Sequence, residues 1–243
     1  MNSNIAIQTH ALTKKYGEKT ACNALELTVY EGEILALLGV NGAGKTTLIK
    51  MLSCLTSPTS GDAEIFGNSI ITAQNNVKEI IGVSPQETSV APNLTVRENL
   101  EFIAGIYGFN TAESKKKAQE LIESLDFGEY SDTRAKKLSG GWQRRLSIAM
   151  ALISDPRLIF LDEPTLGLDV LARRELWKHI ESLKGKTTVI LTTHYLEEAE
   201  ALSDRIAIMS SGRIKSVGSP DQLIAESGEK NFEEAFVKIA TED

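Results

Sequence analysis

The stretch GVNGAGKT, Gly39 to Thr46, constrains this chain more than any other. An apolar run, EILALLG (33–39), leads directly into it, and KTTLIKMLS (45–53) follows with helical patterning. A glycine-rich turn lets backbone N–H groups converge on an anion, and the helix start adds a favourable dipole. Gly39 and Gly44 occupy the two fixed glycine positions of a phosphate loop. Lys45 would reach the β- and γ-phosphates of a nucleotide, and the Thr46 hydroxyl would ligate Mg²⁺. The expected nucleotide contacts are therefore Gly39, Val40, Asn41, Gly42, Ala43, Gly44, Lys45, Thr46 and Thr47. A plain glycine turn between strand and helix is the alternative.

A second apolar strand, LIFLDEP (158–164), ends in adjacent acids. Carboxylates are not buried in such a strand, so they emerge at its C-terminal end, where open α/β sheets bind ligands. Asp162 suits Mg²⁺, directly or through water. Glu163 suits the orientation and polarisation of water attacking the γ-phosphate. Taken alone, a strand-to-turn cap is the alternative reading of these acids.

The opening third reads as β-rich, with extended segments at IAIQTH (5–10), ALELTV (24–29) and EILALLG. From about 95 to 155 the pattern is helical. Thr95 and Glu98 make a capping-box pattern, and Ala118, Leu121, Ile122 and Leu125 share one face opposite Lys115, Lys116 and Glu120. Strands RLIFLD (157–162) and TTVILTTH (187–194) then alternate with helices near 171–183 and 196–202, and RIAIMSSGRIKSVG reads as a hairpin. SPDQL (219–223) starts a helix with Ser219 as cap, Pro220 in its first position and Gln222 closing the box. The fold class is α/β: a P-loop NTPase core with a mainly parallel sheet, an antiparallel β subdomain and an inserted α-helical subdomain.

Composition narrows the partners. With 26 basic against 33 acidic residues the net charge is −7, which argues against a nucleic-acid binder. Two cysteines, Cys22 and Cys54, give neither a disulfide framework nor a metal-ligand spacing. The start MNSNIAIQTH lacks the pattern of a secretory signal, and the apolar run LSIAMALIS (146–154) is far short of a membrane span. Direct membrane insertion is not expected.

LSGGWQRR (138–145) opens a helical pattern with serine and two glycines, so it resembles a second anion-binding helix end. Together with the two phosphate motifs, it makes the chain resemble the ATPase subunit of an ABC transporter from about residue 5 to 220. The resemblance implies that Tyr16 stacks on adenine, that Gln86 contacts Mg²⁺ and senses the membrane partner, and that Asp169 is the D-loop acid. It also makes His194 the switch histidine at the γ-phosphate, catalytic beside Glu163. Ser139, Gly140 and Gly141 are then the signature that closes over ATP held by a partner subunit. Trp142 departs from the glutamine usual at the fifth signature position, and Arg144 and Arg145 would face phosphate, carboxylates or solvent.

The wording of GLDVLARRELWKHI and THYLEEAEALSDRIAIMSSGRI is most similar to subunits of drug, sodium, lipid, polysaccharide and bacteriocin exporters. That likeness implies an ATP-binding domain over 1–220, with the helical lobe inserted at about 87–155, and a short helical tail at 221–243. Its implied partners are a second ATPase subunit and an integral membrane permease, which would dock near Leu94, Phe102 and Tyr107. The expected location is cytoplasmic, peripheral on the inner face of the cell membrane. A soluble relative acting in translation or DNA repair, and a subunit that binds ATP without hydrolysing it, are the competing readings.

Overall fold

The structure, a computed structural model, describes residues 4–241. The chain opens with β1 (Ile5–Tyr16), β2 (Lys19–Leu25) and β3 (Thr28–Tyr30). β4 (Ile34–Leu38) runs into α1 (Lys45–Leu52), then β5 (Ser60–Ile65) and β6 (Asn68–Ser69) return to the first layer. α2 (Gln74–Ile80) leads to β7 (Ile81–Ser84), and a helical lobe follows with α3 (Val96–Ile106), α4 (Thr111–Ser124) and α5 (Gly140–Leu152). β8 (Leu158–Asp162), α6 (Val170–Glu181), β9 (Thr188–Thr193), α7 (Leu196–Leu202) and β10 (Arg205–Ser210) then alternate. β11 (Arg213–Gly218), α8 (Pro220–Ser227) and α9 (Phe232–Thr241) complete the described residues.

The larger sheet has the order β11-β10-β4-β9-β8-β7, parallel from β10 to β7, with β11 antiparallel at its edge. β4, β8 and β9 are buried along their whole length because both faces of the sheet are covered, hence their unbroken apolar sequences. Alternation sends Leu35, Leu37 and Phe160 into one core and Ile34, Leu38, Ile159 and Leu161 into another. The first core lies against α1 and the antiparallel sheet β2-β1-β5-β6, to which β3 adds through β1. The second is closed by α5 to α9, including Leu223 and Phe232 beyond residue 220. A third core joins α3, α4 and α5. α5 contributes Ile148 and Ala151 to the second core and Leu146 and Ala149 to the third, so it fastens the helical lobe to the sheet.

The opening strands differ from expectation. No single strand spans 24–29: Ala24 has φ 48°, β2 ends at Leu25 and β3 begins at Thr28. Between them the Thr9 hydroxyl accepts from Leu27 N at 2.7 Å and donates to the Leu25 carbonyl at 2.8 Å, carrying the chain from one half of β1 to the other. β1 itself continues to Tyr16, past the expected end at residue 10, because Lys14 and Lys15 are satisfied at an exposed sheet margin that apolar patterning does not mark.

The helix signals agree with the structure. Thr95 with Glu98 and Ser219 with Gln222 form complete capping boxes. Ala118 and Ile122 are buried, while Lys115, Lys116 and Glu120 are exposed. Among the described residues no helix is long and apolar enough to cross a membrane.

Candidate functional site

The glycine loop is fixed by close approaches of backbone. A Cβ on Gly39 would lie 2.3 Å from the Met209 carbonyl oxygen, and one on Gly44 would lie 2.4 Å from that of Ala21. Gly44 also has φ 108° and begins α1, so contact demands both fixed glycines of the motif and conformation demands Gly44 as well. Lys45, only 6% exposed, donates to the carbonyls of Gly39 at 2.6 Å and Val40 at 3.2 Å. An ammonium has three donors, so these bonds leave one for an anion in the loop. Burial lowers the Lys45 pKa, and the carboxylates of Glu163 and Asp162 oppose that shift.

β8 delivers the acids, and its neighbour β9 delivers Thr192 and leads to His194. Asp162 pairs with Thr192 across the parallel ladder, and the Thr192 hydroxyl donates to Asp162 Oδ1 at 2.5 Å. The Thr46 hydroxyl approaches the same oxygen at 3.4 Å. Glu163 leaves the strand in the left-handed region, φ 48°, held by its N–H bonds to Thr192 O and Oγ1 at 3.2 and 2.9 Å. Such backbone costs on the order of 1–3 kcal/mol and is kept where surrounding bonds dictate it. Its carboxylate meets His194 Nδ1 at 3.3 Å and Gln86 Nε2 at 3.4 Å. Thr46 and Asp162 together offer hard oxygen donors of the kind Mg²⁺ prefers.

An open cavity of about 620 Å³ is lined by Tyr16, residues Asn41 to Thr47, Gln86, Glu163 and His194. Gly39 and Val40 lie outside its lining and act through the carbonyls that hold Lys45, while Asp162 sits behind Thr46. Lys19, Ala21 and Leu166 also line it. Lys19 stands opposite Tyr16 in the β1–β2 hairpin, so missing that hairpin hid both Lys19 and Ala21. Thr192 was missed too, although the doubled threonine of TTH, next to His194, marked the place.

Ser139, Gly140 and Gly141 do not line this cavity. Ser139 caps α5 by accepting from Trp142 N at 3.5 Å, and Ser139 and Gly140 are exposed. Asp169 is committed to α6, accepting from Leu171 N and Ala172 N, each at 2.9 Å. Trp142 turns into the helical lobe, its ring 4.4 Å from that of Tyr130 and 4.2 Å from the Arg145 guanidinium.

Of the alternatives expected for Arg144 and Arg145, the solvated one is overturned, while the carboxylates of Asp162 and Glu163 act on Arg144 and those of Asp126 and Glu175 on Arg145. Both are buried: Arg144 bonds the carbonyls of Pro85, at 2.7 Å, and Gln86, and Arg145 bonds that of Leu125 at 3.2 Å. The planar guanidinium reaches carbonyls that the turn after β7 leaves unpaired. Of the residues expected near a membrane partner, Leu94 is half-buried, and Phe102 and Tyr107 are exposed beside Ile106.

A strand, a glycine loop closing on a buried lysine, and paired acids at the end of β8, one strand beyond β9 in the parallel sheet, define a P-loop nucleoside triphosphatase. The ABC transporter family matches residues 22–166. The chain is 40% identical over 227 residues to the daunorubicin resistance ATP-binding protein DrrA3 of Streptomyces coeruleorubidus, covering 93% of this chain and 72% of that protein. It is 41% identical over 226 residues to the Nod factor export ATP-binding protein I of Rhizobium sp. (strain N33), covering 92% and 74%. Among solved structures it is similar to the dimeric post-hydrolysis state of the ATP-binding cassette MJ0796 bound to ADP and Pi, with TM-score 0.78, 27% identity and coverage of 88% and 98%. The chain belongs to the ABC transporter family, as an ATP-binding cassette ATPase subunit that works with a partner to drive transport.

Proposed function

We propose that this chain binds Mg·ATP in the cavity around the glycine loop and pairs with a second copy across two nucleotides. Hydrolysis then drives export through a separate membrane permease. The observation that carries the reading is the division between two glycine-lined helix starts. One lines the cavity with Lys45, Glu163 and His194, while the other, Ser139 to Gly141, lies outside that lining with exposed residues at its tip. The dimeric ADP-bound cassette supports the pairing, and the relatives' names for drug resistance and Nod factor export support the direction of transport.

In this reading the N–H groups of Gly39 to Thr47 and Lys45 hold the phosphates. Thr46, Asp162 and Gln86 would hold Mg²⁺, which supplies neutralisation of phosphate charge. Glu163 accepts the proton of the attacking water, and His194, already 3.3 Å from that carboxylate, keeps it aligned and faces the γ-phosphate. Tyr16, half exposed at the cavity rim, stacks on adenine. Ser139, Gly140 and Gly141 of one copy cap the γ-phosphate of the other, with Asp169 at the junction. Phe102, Ile106 and Tyr107 offer an apolar surface to the permease, placing the subunit on the inner face of the membrane.

Glu163→Gln should bind ATP normally, hydrolyse at about a hundredth of the wild-type rate or less, and elute as a nucleotide-bound dimer. Steady-state phosphate release with size-exclusion chromatography reads both. Wild-type turnover removes Glu163 from the mechanism, and a monomer at saturating Mg·ATP removes the clamp. Lys45→Ala, the accompanying control, should instead lose nucleotide affinity in a calorimetric titration.

A further inference from the structure

Beneath the Glu163–His194 pair lies a carboxyl that the chemistry above does not use. Glu198, on α7, has no exposed surface, and its Oε1 accepts from Trp177 Nε1 of α6 at 3.1 Å. The hydroxyls of Thr193, which immediately precedes His194, and Thr165, two residues after Glu163, lie against the same carboxyl. Yet Glu198 Oε2, Thr165 Oγ1 and Arg173 Nε are all buried without an aligned hydrogen-bond partner in the described structure. Arg173 lies over the Trp177 and Tyr195 rings, and its guanidinium reaches outward to Glu197 at 3.6 Å.

An ionised carboxylate with an unpaired oxygen at zero exposure is costly, whereas a neutral acid carries a proton that a hydroxyl can accept. Burial raises the Glu198 pKa in that direction, against the opposing effects of Thr193, Thr165, Trp177 and Arg173. A proton on Oε2 would let the acid donate to the Thr165 hydroxyl that lies against the same carboxyl. The segment after Glu163 and the segment before His194 would then be tied through one side chain, with Trp177 as the fixed end.

We infer that Glu198 is a positioning residue for hydrolysis, a buried acid that sets the separation of Glu163 and His194 by joining Thr165, Thr193 and Trp177. The inference rests on the roles proposed above for Glu163 and His194. The test compares Glu198→Ala, Glu198→Gln and Glu198→Asp with Glu163→Gln in the full chain, by steady-state hydrolysis and calorimetric nucleotide binding. Glu198→Ala should lose about tenfold or more in kcat, since small misplacements of reacting groups are that costly, while nucleotide Kd changes less than about twofold.

Glu198→Gln should recover to within about threefold of wild type, because its amide accepts from Trp177 and donates to a hydroxyl. Glu198→Asp keeps the acid but withdraws it by one methylene, and should stay slow. Equal rates for Gln and Ala, an Asp variant as fast as Gln, an unchanged Ala variant, or a loss carried by Kd would each overturn the inference. If the Ala variant does not fold, as judged by circular dichroism, the order of Gln above Asp decides. An inactive Glu163→Gln beside unaffected Glu198 variants defeats this inference alone, whereas an active Glu163→Gln defeats the reading beneath it.

Discussion

Replacing Gly44 with alanine separates two penalties that the phosphate loop builds into one position. The first is conformational: φ 108° with ψ 0° lies outside the regions open to L residues, a cost of about 1–2 kcal/mol. The second is steric. The new Cβ would sit 2.4 Å from the Ala21 carbonyl oxygen and 3.4 Å from Cys22 Sγ. A carbon–oxygen contact normally needs about 3.3 Å, so roughly 0.9 Å of overlap must be relieved. The obstacle is backbone of β2, not a movable side chain, and overpacking of that kind costs about 1–3 kcal/mol. The sum is about 2–5 kcal/mol, or roughly 30- to 5,000-fold in the folding equilibrium. Gly42 supplies the control: its φ is 84° but a Cβ there meets nothing within 4 Å, so Gly42→Ala should cost only the conformational part, about 1 kcal/mol. Urea unfolding without nucleotide, with equal m-values, measures both. A Gly44→Ala chain no less stable than Gly42→Ala would refute the steric argument.

Arg144→Met should destabilise the chain by about 2 kcal/mol, because the Pro85 and Gln86 carbonyls lose a charged donor. It should also lower kcat by freeing Gln86, whose amide lies 3.4 Å from Glu163; wild-type stability together with wild-type turnover would contradict this. Glu33 gives the pH dependence. Burial raises its pKa above the usual carboxylate range, against the opposing effects of the Tyr30 N–H and Arg205. A raised folded-state pKa means stability is fully present below the unfolded value and declines as pH rises through the folded one. Denaturation of wild type across that window should show the decline and Glu33→Gln should lack it; equal slopes would exclude Glu33 as the source.

The parts of the fold that were readable share a physical property, namely that their signal is local. Fully buried strands β4, β8 and β9 announce themselves as apolar runs, and the caps of α3 and α8 use side chains three residues apart. The glycine loop is readable for the same reason, since a close backbone approach admits one residue type. The β1–β2 hairpin was not, because its lysines and register shifts break the alternation that marks a strand. The backbone partners of Arg144 and Arg145 were not readable because a charged side chain on a helix says nothing of carbonyls 58 and 20 positions away.

By itself, then, the sequence determined the chemistry available: a loop that takes phosphate, a lysine and threonine behind it, two acids at a strand end, and a second glycine-lined helix start. The order of these motifs also determined the α/β class. Only the tertiary structure decided which groups meet. It brought Gln86 and His194 to opposite oxygens of Glu163, set Thr192 against Asp162, and left Ser139 to Gly141 outside the cavity that holds the others. The reason is that motif identity is written in a few consecutive residues, whereas these distances depend on sheet register and helix packing between segments many tens of residues apart.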